Sequence, residues 1–225
     1  MALDEVLMGG TNAGEPLLKL YGWKPAAVSL GYFQSVSEEV DEEKCAAHGV
    51  QIVRRITGGG AVLHDTEITY SFMTREYPEN ILESYKWGGS GILEGLKGIG
   101  IEGMFVPLND LVYNGKKFSG NAQTRKGKVM LQHGTILLQV DVDKMFEILK
   151  VPDEKLKGKM IENVKQRVTG LGKSYDEVAE ALKKGFATSM NAELVKSEVT
   201  TEEHSKAQEL AKAKYGAREW VYRIP

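Results

Sequence analysis

The chain has 225 residues, 42% of them apolar, with 29 basic and 31 acidic side chains and a formal net charge of −2. That length amounts to one large or two small domains, enough to bury a proper core, and the balanced charge argues against nucleic acid or an anionic membrane as the main partner. Cys45 is the only cysteine, which excludes an internal disulfide and fits a reducing cytoplasm; with no signal peptide and no apolar run near the ~20 residues of a membrane span, a soluble cytoplasmic protein is expected.

In chain order, Ala2 to Met8 reads as a helix with Leu3, Val6 and Leu7 on one apolar face. Pro16 to Trp23 and Ala26 to Phe33 read as two strands joined across Lys24-Pro25. A short helix follows, with Ser37 as its N-cap and Gly49 as its stop. An apolar strand (Val50, Ile52, Val53) leads into a glycine-rich segment, and Ile68 to Met73 alternates as a half-buried strand should. Leu82 to Ile99 has a helical pattern that carries Gly88, Gly89, Gly91, Gly95 and Gly98. So many glycines predict close packing against another element, or a break near Gly88. Leu111 to Tyr113, Gly127 to Leu131 and Thr135 to Val140 read as strands, and Asn114-Gly115 signals a hairpin into Lys116 to Phe118. Beyond Val142 the chain turns helical, with capping boxes at Ser174–Glu177 and Thr200–Glu203 opening helices that end near Met190 and Tyr215. Lys206, Lys212 and Lys214 complement the dipole of the last helix. The expected fold is a single α+β domain over residues 1–225, sheet-rich to about residue 140 and mostly helical from 141 onward.

Two segments concentrate chemistry. The first is Arg54-Arg55-Ile56-Thr57-Gly58-Gly59-Gly60-Ala61-Val62-Leu63-His64-Asp65. Glycines lack a Cβ, so their backbone N–H groups can close on a bulky anion, and arginine supplies a planar charged fork for phosphate or carboxylate oxygens. A bare GGG would be a plain hairpin with solvated arginines; Arg-Arg before it and His-Asp after it favour an anion site. The second runs from Asn109-Asp110 to Gln123, where Lys117 sits between a tight turn and Ser119-Gly120. A lysine there could stabilise charge that grows in a transition state, although loop lysines are usually solvated. His133, in Gln132-His133-Gly134-Thr135, is a weaker candidate for the same neighbourhood.

RRITGGGAVLHD, then ND-L-V-x-x-GKKFSGNAQ, then QHGTILL resembles the lipoate–protein ligase A family, with further likeness at LYGW (20–23), GYFQ (31–34) and VPDEK (151–155). The resemblance implies an α+β fold with a mixed, largely antiparallel sheet flanked by helices, the biotin/lipoate–protein ligase catalytic-domain fold. It implies activation of lipoate with ATP and Mg2+ to lipoyl-AMP, then transfer to a lysine of lipoyl-acceptor domains (2-oxoacid dehydrogenase E2, glycine cleavage H protein). Arg55 matches an arginine on the nucleotide phosphates; Gly60, Ala61, Val62 and Leu63 match the lining of the nucleotide and acyl pocket. Lys117 matches the catalytic lysine that holds carboxylate and α-phosphate together. Arg54, Gly58, Gly59, His64, Asp110 and His133 are secondary candidates, and no metal ligands are assigned.

The competing reading is an octanoyl or lipoyl protein acyltransferase of the same superfamily, which works through a cysteine thioester placed shortly before the lysine motif. Met104 to Asn114 contains no cysteine and reads Asn109-Asp110 as ligases do, which favours the ligase. A non-catalytic lipoate-binding protein is the third reading. Leu63 stands where many ligases carry an aromatic residue, and the strand that precedes the first helix in the family is missing here. A C-terminal accessory domain is also missing, so a separate small subunit for the adenylation step is expected.

Overall fold

The computed structural model describes residues 1–9, 15–150 and 157–224, so the VPDEK segment falls outside the described residues. The elements are α1 (Ala2–Gly9), β1 (Leu17–Tyr21), β2 (Ala27–Leu30), α2 (Val36–Glu39), α3 (Glu42–Ala47), β3 (Gln51–Arg54), β4 (Val62–His64), β5 (Glu67–Thr74), α4 (Ile81–Lys97), β6 (Met104–Val106), β7 (Asp110–Tyr113), β8 (Lys116–Lys126), β9 (Val129–Leu137), α5 (Val142–Ile148), α6 (Lys157–Arg167), α7 (Tyr175–Ser189), α8 (Thr201–Leu210) with a π turn over Ala211–Tyr215, and α9 (Arg218–Val221). A six-stranded sheet runs β1-β5-β9-β8-β7-β6, antiparallel throughout. A three-stranded sheet runs β3-β2-β4, with β2 parallel to β3 and antiparallel to β4. The α+β class with a largely antiparallel sheet flanked by helices is therefore correct.

Alternation along β5 organises the interior. Ile68, Tyr70 and Phe72 point to one face, where they pack with Ile92 and Leu96 of α4 and Leu182 and Phe186 of α7. Glu67, Thr69 and Ser71 point to the other face and are also buried. The predicted half-buried strand is thus covered on both sides, and its polar side faces the smaller sheet. The smaller sheet has its own core of Val28, Leu30, Val36, Val40, Cys45, Val50, Ile148 and Val221.

The glycines of α4 do not break it, and two of them, Gly91 and Gly95, form its contact with α7. A Cβ on Gly95 would stand 2.2 Å from the carbonyl oxygen of Ala181, and one on Gly91 would stand 2.7 Å from the Phe186 ring. Gly185 of α7 is equally pressed against the α4 backbone at Gly91 and Gly95. Small residues on both helices let their axes approach, and each then caps the large sheet.

Several boundaries differ from those read in the sequence. The helix assigned to Ser37 is two short helices: Asp41 caps α3 by accepting from the Lys44 amide, and Ser37 bonds Ser35 instead. The two strands expected over 127–131 and 135–140 are one, β9, because Gly134 stays in register opposite Tyr70 and Asn121. The hairpin at Asn114-Gly115 forms, both residues having positive φ (50° and 74°). The capping box at Thr200 forms in full, and Ser174 accepts from the Glu177 amide. Among the described residues no helix is long and apolar enough to cross a membrane.

Candidate active site

A cavity of about 610 Å³ lies between the polar face of the large sheet and the small sheet, closed at one end by α5 and α6. The glycine-rich loop and its following strand, residues 59–65, form one wall, and Asn109, Lys117, Gly120 and His133 form another. The two segments singled out in the sequence, some fifty residues apart, therefore meet across one space.

Consecutive arginines serve opposite sides because they end a strand. Arg54 lies outside the cavity and is fully buried. Its guanidinium donates to the carbonyls of Gly31, Tyr32 and Gln34 and to those of Trp220 and Val221, while the Trp220 indole donates back to the Arg54 carbonyl. Arg54 thus fastens the C-terminal helix to the loop after β2 and is not available to a ligand.

Arg55 reaches the cavity wall, yet its donors are also taken. Nε donates to Thr57 Oγ1 (3.1 Å), Nη1 to the carbonyl and Oγ of Ser29 (2.7 and 3.1 Å), and Nη2 to the carbonyls of Gly58 and Gly60 (2.8 and 2.7 Å). Burial lowers its pKa to about 10. The arginine is a clamp: it holds the glycine loop from beneath. Gly31 permits this, since a Cβ there would stand 1.9 Å from the Gly59 carbonyl oxygen, and Gly59 needs φ of +93°.

Lys117, half-exposed on β8, carries its ammonium 2.8 Å from Asp110 Oδ1. Gly120 leaves the space it occupies, as a Cβ there would come within 3.1 Å of Nζ. Much of the surrounding motif is scaffold. The Tyr70 hydroxyl donates to Asn121 Oδ1 (2.7 Å) and accepts from Gln132 Nε2 (2.7 Å); Gln123 Nε2 donates to Gln132 Oε1 (2.6 Å). Asn121 Nδ2 donates to the Asn109 carbonyl (2.8 Å), and Asn109 Nδ2 donates back to the Asn121 carbonyl. Buried amides that satisfy one another in this way fix the backbone that presents Lys117.

The two histidines join polar chains. Thr57 Oγ1, already accepting from Arg55, meets His133 Nε2 at 2.7 Å; burial pushes the His133 pKa down to about 3, so the ring is neutral. His64 Nε2 lies 2.7 Å from Ser29 Oγ, and its Nδ1 lies 2.5 Å from Glu67 Oε1. The Thr69 hydroxyl also donates to Glu67 Oε1 (2.7 Å) and itself accepts from the Trp23 indole (2.8 Å), whose ring stacks on His64 at 4.2 Å. Ser29, Trp23, Glu67 and Thr69 were not singled out in the sequence. The signal that could have found Glu67 is its spacing after His64-Asp65 at the start of a strand. Ser29 gave none, because its neighbours come together only across the two sheets.

Cys45 is not in this cavity. It is 1% exposed within the small-sheet core, and burial, with Asp41 and Glu42 nearby, pushes its thiol up to about 11. A thiol held protonated in apolar surroundings is inert.

Two sheets that enclose a deep cavity, closed by a glycine loop and a lysine hairpin, define a catalytic domain of the biotin/lipoate ligase superfamily. Residues 1–187 match the family Lipoyl protein ligase A/B catalytic domain, and the chain belongs to it. The fold is similar to the bi-partite lipoate protein ligase of Thermoplasma acidophilum, with TM-score 0.92, 30% identity, and coverage of 100% of this chain and 91% of that one. It is also similar to a lipoate-protein ligase A bound with ATP, with TM-score 0.85, 28% identity, and coverage of 98% and 92%. Among curated relatives, octanoyltransferase LipM of Anoxybacillus flavithermus is 36% identical over 258 residues, covering 99% of this chain and 93% of that protein.

This last relationship corrects the sequence expectation of an ATP-dependent, AMP-forming lipoate–protein ligase. That expectation rested on one missing cysteine, and curated relatives 35–36% identical over 99% of the chain are octanoyltransferases. The motif segments could not separate the two activities, because both must hold a similar acyl chain and offer it to a lysine.

Proposed function

We propose that this chain is a cytoplasmic acyltransferase that passes an octanoyl or lipoyl group from an acyl thioester directly to the ε-amine of a lysine on a lipoyl-acceptor domain. The observation that carries this reading is whole-length similarity to octanoyltransferases in a chain whose sole thiol is buried away from the cavity. Without a thiol nucleophile the acyl group goes to the amine in one transfer. The amine attacks the thioester carbonyl, the C–S bond breaks as the amide C–N bond forms, and the carrier leaves as a thiol. Lys117 is the group placed to stabilise the oxyanion that develops on the carbonyl oxygen. Gly60, Ala61, Val62 and Leu63 line the acyl chain's path, and the Arg55 clamp sets the shape of that wall.

ATP and Mg2+ have no part in this reading. The residue matched to the nucleotide phosphates, Arg55, has its donors committed to Ser29, Thr57, Gly58 and Gly60, so it does not fit as a free phosphate fork. The accessory subunit expected for adenylation loses its role with that step.

The test is the intact mass of a lipoyl-acceptor domain after incubation with this chain and an octanoyl thioester of a carrier protein, without ATP. An increase by one octanoyl group is expected. Modification that requires ATP and a free fatty or lipoic acid, and none from the thioester, would overturn the proposal. Cys45→Ser should leave the transfer rate within about twofold, as the thiol touches only core; an inactive but folded variant would restore a covalent thioester route.

A further inference from the structure

We propose that Ser29, His64 and Glu67 form a proton relay that takes a proton from the acceptor lysine as it attacks the acyl carbonyl; this rests on the transfer reading above. A lysine arrives as an ammonium, with a pKa of about 10.4, and an ammonium has no lone pair to attack with. A direct transfer therefore needs a base in the cavity. Lys117 and Arg55 are cations, and the His133 Nε2 is committed to Thr57.

The heavy atoms around His64 are spaced for a relay, which runs in the following direction. Arg55 Nη1 donates to Ser29 Oγ, which leaves the serine proton to point at His64 Nε2, 2.7 Å away. The Nε2 is then an acceptor and Nδ1–H donates to Glu67 Oε1 at 2.5 Å. Nucleophile-side hydroxyl, imidazole and orienting carboxyl group stand in the order that proton abstraction requires. Glu67 is 4% exposed and its Oε2 has no hydrogen-bond partner. A buried carboxylate with spare acceptor capacity stabilises the imidazolium that appears when His64 takes a proton. Trp23, stacked on the ring at an interplanar angle of 18°, adds its π face to the same cation. All four side chains line the cavity.

The remaining titratable and charged groups facing this chain are Arg55 beyond Ser29, His133 on β9, Asp65 after β4, Tyr21 on β1, and Asp4 with the N-terminal amine on α1, paired to Lys19. In the relay, Ser29 Oγ receives the proton from the amine as its own passes to His64 Nε2. Of the two protons the ammonium loses, one leaves through the relay to water and the other ends on the departing sulfur. Ser29 is the group that touches the amine, and His64 and Glu67 are positioning residues acting through it.

The experiment compares two acceptors for the same octanoyl thioester: the lipoyl-acceptor domain, and hydroxylamine, which is neutral at pH 7 and needs no base. His64→Gln and Ser29→Ala, with Glu67→Gln as a third variant, are assayed from pH 6.5 to 9. For at least one folded variant, acylation of the domain at pH 7 should fall about 10²–10⁴-fold. The loss with hydroxylamine should be at least tenfold smaller, and the rate with the domain should climb about tenfold per pH unit as the free amine fraction rises. Equal losses with both acceptors and no recovery with pH would mean that the network only ties the sheets together, and would overturn the relay. Folded variants with wild-type rates would overturn it as well. A wild-type chain that acylates neither acceptor would overturn the transfer reading and the relay with it, which separates the two failures.

Discussion

Replacing Arg55 by methionine distinguishes a clamp from a ligand-binding arginine. In the folded chain the guanidinium makes five hydrogen bonds, to Thr57 Oγ1, to the carbonyl and Oγ of Ser29, and to the carbonyls of Gly58 and Gly60. Methionine fills much of the stem's volume and provides none of them. Gly60 is exposed and Gly58 half-buried, so water can reach those two carbonyls once the loop relaxes. The buried Ser29 carbonyl loses a charged donor, and its Oγ, on the cavity side, loses the same donor and keeps His64. An unsatisfied buried acceptor costs about 1–3 kcal/mol; offset by the relief of a desolvated cation, the net loss should be about 2–4 kcal/mol. At about 2–4 °C per kcal/mol for a chain of this size, Tm should fall by roughly 5–15 °C. The assay is thermal unfolding by circular dichroism, with binding of an octanoyl thioester measured alongside. A variant with wild-type Tm that has lost thioester binding would refute the clamp and make Arg55 a ligand group. Arg55→Lys should behave nearly like the methionine variant, since a single ammonium cannot span five acceptors on two segments.

Lys117→Ala should reduce acyl transfer by about 10²–10³-fold, the usual cost of removing an oxyanion donor, while the unfolding free energy from urea titration stays within about 1 kcal/mol because its Asp110 pair is solvated; a loss of only a few-fold would assign the charge stabilisation elsewhere. Gly95→Ala should destabilise by about 1–3 kcal/mol or more, since the new Cβ meets the Ala181 backbone at 2.2 Å, and a neutral result would show that α4 and α7 separate freely. His133 sets a pH dependence. Its pKa is held near 3 in the folded chain against 6.5 in the unfolded one, so below pH 6.5 the unfolded state binds the extra proton. Stability should therefore fall as pH drops from 6.5 toward 3, by at most about 1.4 kcal/mol per pH unit from this group. His133→Gln should flatten that slope in denaturant titrations; an unchanged slope would refute it.

The elements were legible where a local rule governs them. The apolar alternation of Ile68 to Met73, the positive-φ pair Asn114-Gly115 and the cap at Thr200 each depend on a few neighbouring residues, and each formed where the pattern put it. Boundaries failed where a distant partner decided them. Gly134 looked like a break between two strands, yet opposing residues on β5 and β8 hold it in a continuous β9. The glycines of Leu82 to Ile99 pointed to close packing without naming the partner, which is the small-residue face of α7 around Gly185.

The chemistry divides the same way. The residue content of the two motif segments, their order and the isolation of Cys45 are one-dimensional facts, and they suffice to place the glycine loop and Lys117 in one site and to assign the superfamily. What each arginine does is not contained in the string Arg54-Arg55, because strand alternation turns one toward the C-terminal helix and the other toward the cavity, and only the surrounding carbonyls show that both are clamps. The chain Ser29–His64–Glu67 likewise joins β2, β4 and β5 of two different sheets. Hydrogen bonds act over about 3 Å in space whatever the distance along the chain, so such a network exists only once both sheets have packed.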